Sequence, residues 1–276
     1  MDICSQISGA VEVLKNKSYA YKGLTIAIGH ELNPFSITYD PDLMRVASVN
    51  HSKLGLIGSL WNGKHDTTLK QQSDFIVTST ALPGWSLTDS FIDDRNMPFG
   101  PISKEQSHFK GIYRHGSRVA VKYTVGNTEI IESPKVERHG SEYGVSRTLS
   151  IASRQHELLM SIGDFDRTVD LKNSGQLAEV ESSSGKKITI AVIGDGLILQ
   201  QNKSRLSIKI PAGEKALNFK VVMLKSSKYL KSAELTKETE DVRDFLKPGK
   251  AKYTEELTVK GNISKSNKTY VVDDIP

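Results

Sequence analysis

The chain has 276 residues, 37 Lys and Arg against 32 Asp and Glu, a formal net charge of +5 and 37% hydrophobic residues. A chain of this length buries roughly three quarters of its unfolded surface, so it supports a core. Its basic residues are scattered with few aromatics between them, which argues against a nucleic-acid binder. No apolar stretch approaches the ~18 residues of a membrane span, and the single cysteine, Cys4, excludes internal disulfides and a Cys-x-x-Cys site.

Residues 1–22 read as a lead-in with a short helix over residues 7–15 and without the basic and apolar run of a signal peptide. Strand-like segments follow at residues 24–28, 35–39, 44–49 and 54–57. Gly29, Asn33-Pro34, Asp40-Pro41 and Gly58 supply the turn chemistry between them. This short spacing predicts an antiparallel meander, because a parallel crossover needs a dozen or more residues. From residue 61 to 102 the pattern loosens to one strand over 75–78 and a long irregular segment, ALPGWSLTDSFIDDRNMPFGPIS. Ordered loops of that length are often functional.

The stretch HFKGIYRHGSRVAVKYTVGNTEIIES carries the firmest signal. Val119, Val121, Tyr123 and Val125 alternate with Ala120, Lys122 and Thr124, the two-residue period of a half-buried strand. Gly126-Asn127 then supplies a two-residue turn, since both residues tolerate positive φ. With Val125 facing Thr128, Tyr123 sits beside Ile130, and Lys122 and Glu129 become outward neighbours of opposite charge.

Further strands are expected at residues 147–152 and 158–162, followed by a polar connection over 164–186. A second meander runs through ITIAVIG, LILQQ, RLSIKI and LNFKVVML, with turns at Asp195-Gly196 and Pro211-Ala212-Gly213. Residues 231–246 read as a helix stopped by Pro248-Gly249, and EELTVKGNIS and TYVVDDIP as two more strands or an extended tail. The pattern predicts a mainly β protein, an antiparallel two-sheet β-sandwich with one helix near the C-terminus. Its parts are a lead-in (1–22), a β-sandwich domain (23–228) and a helix plus extended segment (229–276).

The segments MPFGP, HFKGIYRHGSRVAVKYTVGNTEIIE and YVVDDIP, with YDPDLMRVASV, WNGKHD and PGW, together resemble an uncharacterised β-rich domain. That domain precedes a glucose/sorbosone dehydrogenase-like propeller in large secreted c-type cytochrome proteins of planctomycete-type and related bacteria. The resemblance implies a periplasmic or extracellular location, neighbours that handle carbohydrate oxidation, and a propeller beginning where Ile275-Pro276 ends this chain. No Cys-x-x-Cys-His occurs, so haem does not carry over, and the domain brings no known catalytic residues to map.

Three groups of residues are candidates for chemistry. Asp93 and Asp94, beside Arg95, could form a carboxylate pair for glycoside hydrolysis, although adjacent acids in one loop more often fix the loop itself. His108, Tyr113 and His115 could form an acid/base or metal cluster, with Tyr113 and His115 sharing a face if extended. The simpler reading has these histidines satisfying backbone groups near Gly116. Trp61, Trp85, Tyr113 and Phe99, with His65 in the same candidate set, could stack on sugar rings, or else plug the ends of the sandwich.

No Gly-rich phosphate loop and no Gly-x-Ser-x-Gly elbow occurs. No catalytic residue, metal or cofactor is assigned. The preferred reading is a non-catalytic module of a secreted carbohydrate-processing protein, binding a polysaccharide or oligosaccharide or packing on a neighbouring propeller. The alternative is a carbohydrate-active enzyme, hydrolase or lyase, using the 83–115 region.

Overall fold

The structure, a computed structural model, describes residues 5–14, 18–51, 56–57, 69–71, 74–97 and 99–247. Strands β1 (Ser5–Leu14), β2 (Ser18–His30), β3 (Asn33–Asp40) and β4 (Arg45–Asn50) run antiparallel in chain order. β5 (Leu56–Ile57) and β6 (Leu69–Gln71) add an outer edge, with β6 parallel to β1, and β7 (Phe75–Thr78) closes the other side against β4. The first three strands of the expected meander are therefore present, widened by β1, whereas the fourth, described at residues 56–57, lies at the opposite edge against β6 and not beside β4. The helix expected over residues 7–15 is not formed over its described part, residues 7–14, which is strand. Val11 and Val13, β-branched and two apart, instead bury against Ala20 and Ala47, a fit that requires extended backbone.

A two-residue strand, β8 (Trp85–Ser86), interrupts the long irregular segment. β9 (Ser107–His115), β10 (Arg118–Val125), β11 (Thr128–His139) and β12 (Glu142–Ile151) then build half of an eight-stranded sheet. Around the central turn, Gly126 takes φ +54°, Val125 faces Thr128 and Tyr123 faces Ile130. Lys122 Nζ lies 2.8 Å from Glu129 Oε2 on the outward face.

Beyond β13 (Leu158–Asp164), the eight-stranded sheet gains β14 (Asp170–Lys172), β15 (Leu177–Glu181) and β16 (Lys187–Ile193). β17 (Ile198–Asn202) and β18 (Arg205–Ile210) form a hairpin, and β19 (Leu217–Ser226) inserts between β16 and β12. The order in this sheet is β14-β15-β16-β19-β12-β11-β10-β9. A third sheet, β17-β18-β13-β8, packs beside β4 and β7. At that seam a Cβ on Gly163 would stand 2.2 Å from Val77 Cγ1.

Among the described residues, three sheets thus stand where two were expected, but they share one core. Ile26, Phe35 and Ile37 of the first sheet meet Val121, Tyr123 and Leu149 of the second and Met160, Leu206 and Ile208 of the third. Burial of apolar surface on this scale is the main stabilising term.

One polar cluster lies inside that core. Glu132 on β11 and Arg147 on β12 both point inward and pair through Nε and Nη2 at 2.9 Å each. The Tyr39 and Tyr123 hydroxyls donate to the same carboxylate at 2.6 and 2.8 Å. These four side chains line a cavity of about 10 Å³, room for a single water, and Arg147 Nη1 is buried without a protein partner.

The helix expected over residues 231–246 is replaced by two 3-10 turns, Ser232–Glu234 and Val242–Leu246. The segment is a strap across the outer face of the eight-stranded sheet, and the sheet supplies its hydrogen bonds. Thr236 N donates to His139 Nδ1 at 3.1 Å, Thr236 Oγ1 donates to Arg138 O at 2.7 Å, and Lys220 Nζ donates to Glu238 O at 2.6 Å. Leu235 buries with Val222 and Leu224, whereas Val242 buries with Ala120 and Ile131, two separate sites that one helical face would not reach. Tertiary contacts here override a helix-like pattern. Residues 54–55, the Pro248-Gly249 stop and the strands expected after it lie outside the described residues.

Candidate functional site

Among its described residues the segment between β7 and β9 has only β8 as regular backbone, and it builds two surfaces. Asp93 and Arg95 fix its far half. Arg95 Nη2 lies 2.7 Å from Asp93 Oδ2, Nε donates to Oδ1 at 2.8 Å, and Nη1 donates to Gly100 O at 2.5 Å. Those guanidinium bonds hold the Asp93 carboxyl below its ordinary range. Asp93 thus spends both oxygens on its own loop, while Asp94 is exposed.

The histidine group does not converge. His108 stands opposite Thr124, Tyr113 opposite Ala120 and His115 opposite Arg118, so Tyr113 and His115 are close along β9 and His108 is far. Lys110 Nζ lies 2.9 Å from His108 Nδ1, and desolvation with the Lys110 and Lys104 charges lowers the imidazole pKa. The His115 ring packs 5.7 Å from that of Phe245 on the strap, and Tyr113 packs beside Val242. Among the described residues, no group of three or more His, Cys, Asp and Glu is arranged to hold a metal ion.

Trp85 is only 3% exposed, its ring 6.0 Å from that of Tyr123. It plugs the core and offers no face to a ligand. Trp61 and His65 lie outside the described residues.

The near half of the loop roofs a pocket of about 280 Å³. Asp89, Ser90 and Phe91 come from the loop, Gln200, Asn202 and Lys203 from the β17–β18 hairpin, and Thr80, Asp164 and Arg205 form the floor. Lys203 sits in the hairpin turn with φ +54°. Arg205 Nε and Nη2 each lie 3.0 Å from an Asp164 oxygen, and Nη2 donates to Thr80 Oγ1 at 2.8 Å. Thr80 N donates to Asp164 Oδ2 at 2.6 Å. Burial pushes the Asp164 carboxyl up, yet the Arg205 bonds and the Thr80 donors outweigh it and hold it below the usual carboxylate range. The Arg205 guanidinium lies 5.1 Å from the Phe91 ring centroid, and its Nη1 is buried without a hydrogen-bond partner.

A family model described as a domain of unknown function (DUF6797) matches residues 37–132. That span runs from β3 into β11 and contains the whole loop. No curated protein matches the chain. Among solved structures, two chains titled "Heparinase III-BT4657 gene product", one with methylated lysines, are similar to it with TM-scores of 0.39 and 0.38 and 9% identity. Each match covers 75% of this chain and 35% or 34% of the other, so the chain spans about a third of their length.

Sequence reasoning missed Phe91, Asp164 and Arg205. Phe91 stood in the loop already singled out, and Arg205 opens RLSIKI as a charge ahead of a buried strand, but their proximity is a product of the fold. A larger open groove of about 1160 Å³ lies between the Gly126-Asn127 turn and residues 153–156 and 212–214. Its lining holds no Phe, Tyr or Trp, and its arginine, Arg154, is tied to the Pro211 and Lys215 carbonyls.

Proposed function

We propose that this chain is a non-catalytic, glycan-binding module of an extracytoplasmic carbohydrate-processing protein, with its site in the pocket under the long loop. One observation carries the reading: an aromatic ring, Phe91, stands beside a ring of hydroxyl, amide and carboxylate groups in a pocket sized for one sugar. A sugar ring presents an apolar CH face and a rim of hydroxyls, so it needs this pairing of a flat ring with fixed donors and acceptors.

Charge balance favours a neutral sugar. The lining holds Arg205, paired with Asp164, and one further residue of each sign, Lys203 and Asp89, so it carries no net formal charge to attract an acidic ligand. The test is calorimetric titration with neutral mono- and oligosaccharides of the cello, malto, xylo and manno series, with a reducing-sugar assay alongside. Phe91→Ala is expected to weaken binding roughly tenfold and to leave the thermal midpoint nearly unchanged, because Phe91 is half-buried on a loop. Wild-type protein that binds none of the series, or a Phe91→Ala variant that binds equally well, would refute the reading. Sugar release would favour an enzyme.

A further inference from the structure

A second aromatic surface, built in part by the far half of the same loop, has no part in the reading so far. The Tyr19 and Tyr21 rings of β2 stack at 6.2 Å, and Phe99 from the far half of the long loop meets Tyr21 edge-on at 6.2 Å. Tyr21 is 45% and Phe99 52% exposed, so both rings present apolar surface to solvent while in contact with each other. Tyr19 OH donates to Glu12 Oε1 at 2.9 Å, which anchors the inner ring of the three.

The two surfaces are joined through one buried guanidinium. Arg45 Nη1 donates to Thr80 O at 2.9 Å, under the pocket floor, and Nη2 donates to Tyr19 O at 2.8 Å, at the base of the aromatic group. Asp40 Oδ2 holds Arg45 Nε at 2.9 Å, so the junction is fixed. The same loop carries Phe91 into the pocket and Phe99 onto the tyrosines. At its polar rim Arg95 is matched by Asp93, and Lys22 Nζ lies 3.4 Å from Asp42 Oδ1. With those two cations paired and Glu12 and Asp94 adding carboxylates, this surface does not favour an acidic ligand.

Resting on the glycan reading above, we infer that Tyr19, Tyr21 and Phe99 form a second subsite, so that the protein binds a neutral oligosaccharide chain and not a single terminal sugar. The pocket takes one unit, and the exposed rings take the CH faces of the units that follow. Each further stacked ring adds affinity without adding salt dependence, since no charge is exchanged.

The experiment is titration of the full chain with one- to four-unit members of whichever neutral series binds. Affinity is expected to rise at least about tenfold between one and three units. Tyr21→Ala with Phe99→Ala should flatten that rise and keep single-unit affinity, and Phe99→Ala alone, on an exposed loop, should reduce the rise with folding intact. Phe91→Ala should lower affinity at every length. Single-unit binding with no gain on lengthening overturns the second subsite, as does a gain that survives in the double variant. Wild-type protein that binds no member at any length fails the pocket reading itself.

Discussion

Arg147→Ala is expected to cost about 3–5 kcal/mol of folding stability, seen as a lower urea midpoint by circular dichroism. The guanidinium is matched to Glu132 on the neighbouring strand, and both side chains are almost fully enclosed among Val121, Tyr123 and Leu149. Removing it strands a carboxylate in apolar surroundings with only the Tyr39 and Tyr123 hydroxyls as donors. Replacing both partners, Glu132→Gln with Arg147→Met, should cost less than Arg147→Ala, because no uncompensated charge is left behind.

The same cluster sets an acid limit. Burial pushes the Glu132 carboxyl up, but Arg147 and the two tyrosines outweigh it, so its folded pKa lies below the ordinary 4.5. A depressed carboxylate contributes stability that is fully present above its unfolded value and is lost as pH falls through the folded one. Wild-type protein should therefore lose stability below about pH 4.5 more steeply than Glu132→Gln. Asp40 works in the opposite sense, since burial raises its carboxyl in spite of Arg45.

Trp85→Ala is expected to destabilise the fold by about 3–5 kcal/mol. The ring fills the core where the small sheet meets the large one, and it lies 6.0 Å from the Tyr123 ring. Any loss of glycan binding in this variant should track the unfolded fraction and vanish when binding is measured well below the lowered melting temperature. Phe91→Ala should show the reverse: loss of affinity with little change in melting. Because Trp85 and Glu132 both contact Tyr123, their substitutions should not be additive.

The central hairpin was legible because its signals are local. Alternation from Val119 to Val125 and the Gly126-Asn127 turn fix register without help from distant residues, and the observed pairs are the expected ones. The mainly antiparallel β character followed from the same periodicity. What could not be read depends on distance along the chain. Leu235, Val242 and Leu246 recur at helical spacing, yet Thr236 and Glu238 find partners on strands that precede them by 18 to 98 residues.

The third sheet escaped notice because β8 has two residues and pairs with β13, far along the chain. In the site, Asp93 and Arg95 were correctly placed in a long loop, but the pocket floor joins Thr80 to Arg205 across 125 residues. For Trp85 the sequence left two readings open, a ligand platform and a plug, and two residues of strand turn the ring inward as a plug.

The central claim is that the loop pocket receives a sugar. Its most direct test is an NMR titration that follows the Arg205 side-chain Nε–H and the Phe91 ring signals as a neutral oligosaccharide is added. The pocket predicts saturable shifts concentrated at Thr80, Phe91 and residues 200–207, with the Gly126-Asn127 groove unmoved. Shifts confined to that groove, or no shift at Phe91 and Arg205 with a ligand that calorimetry shows to bind, would contradict it.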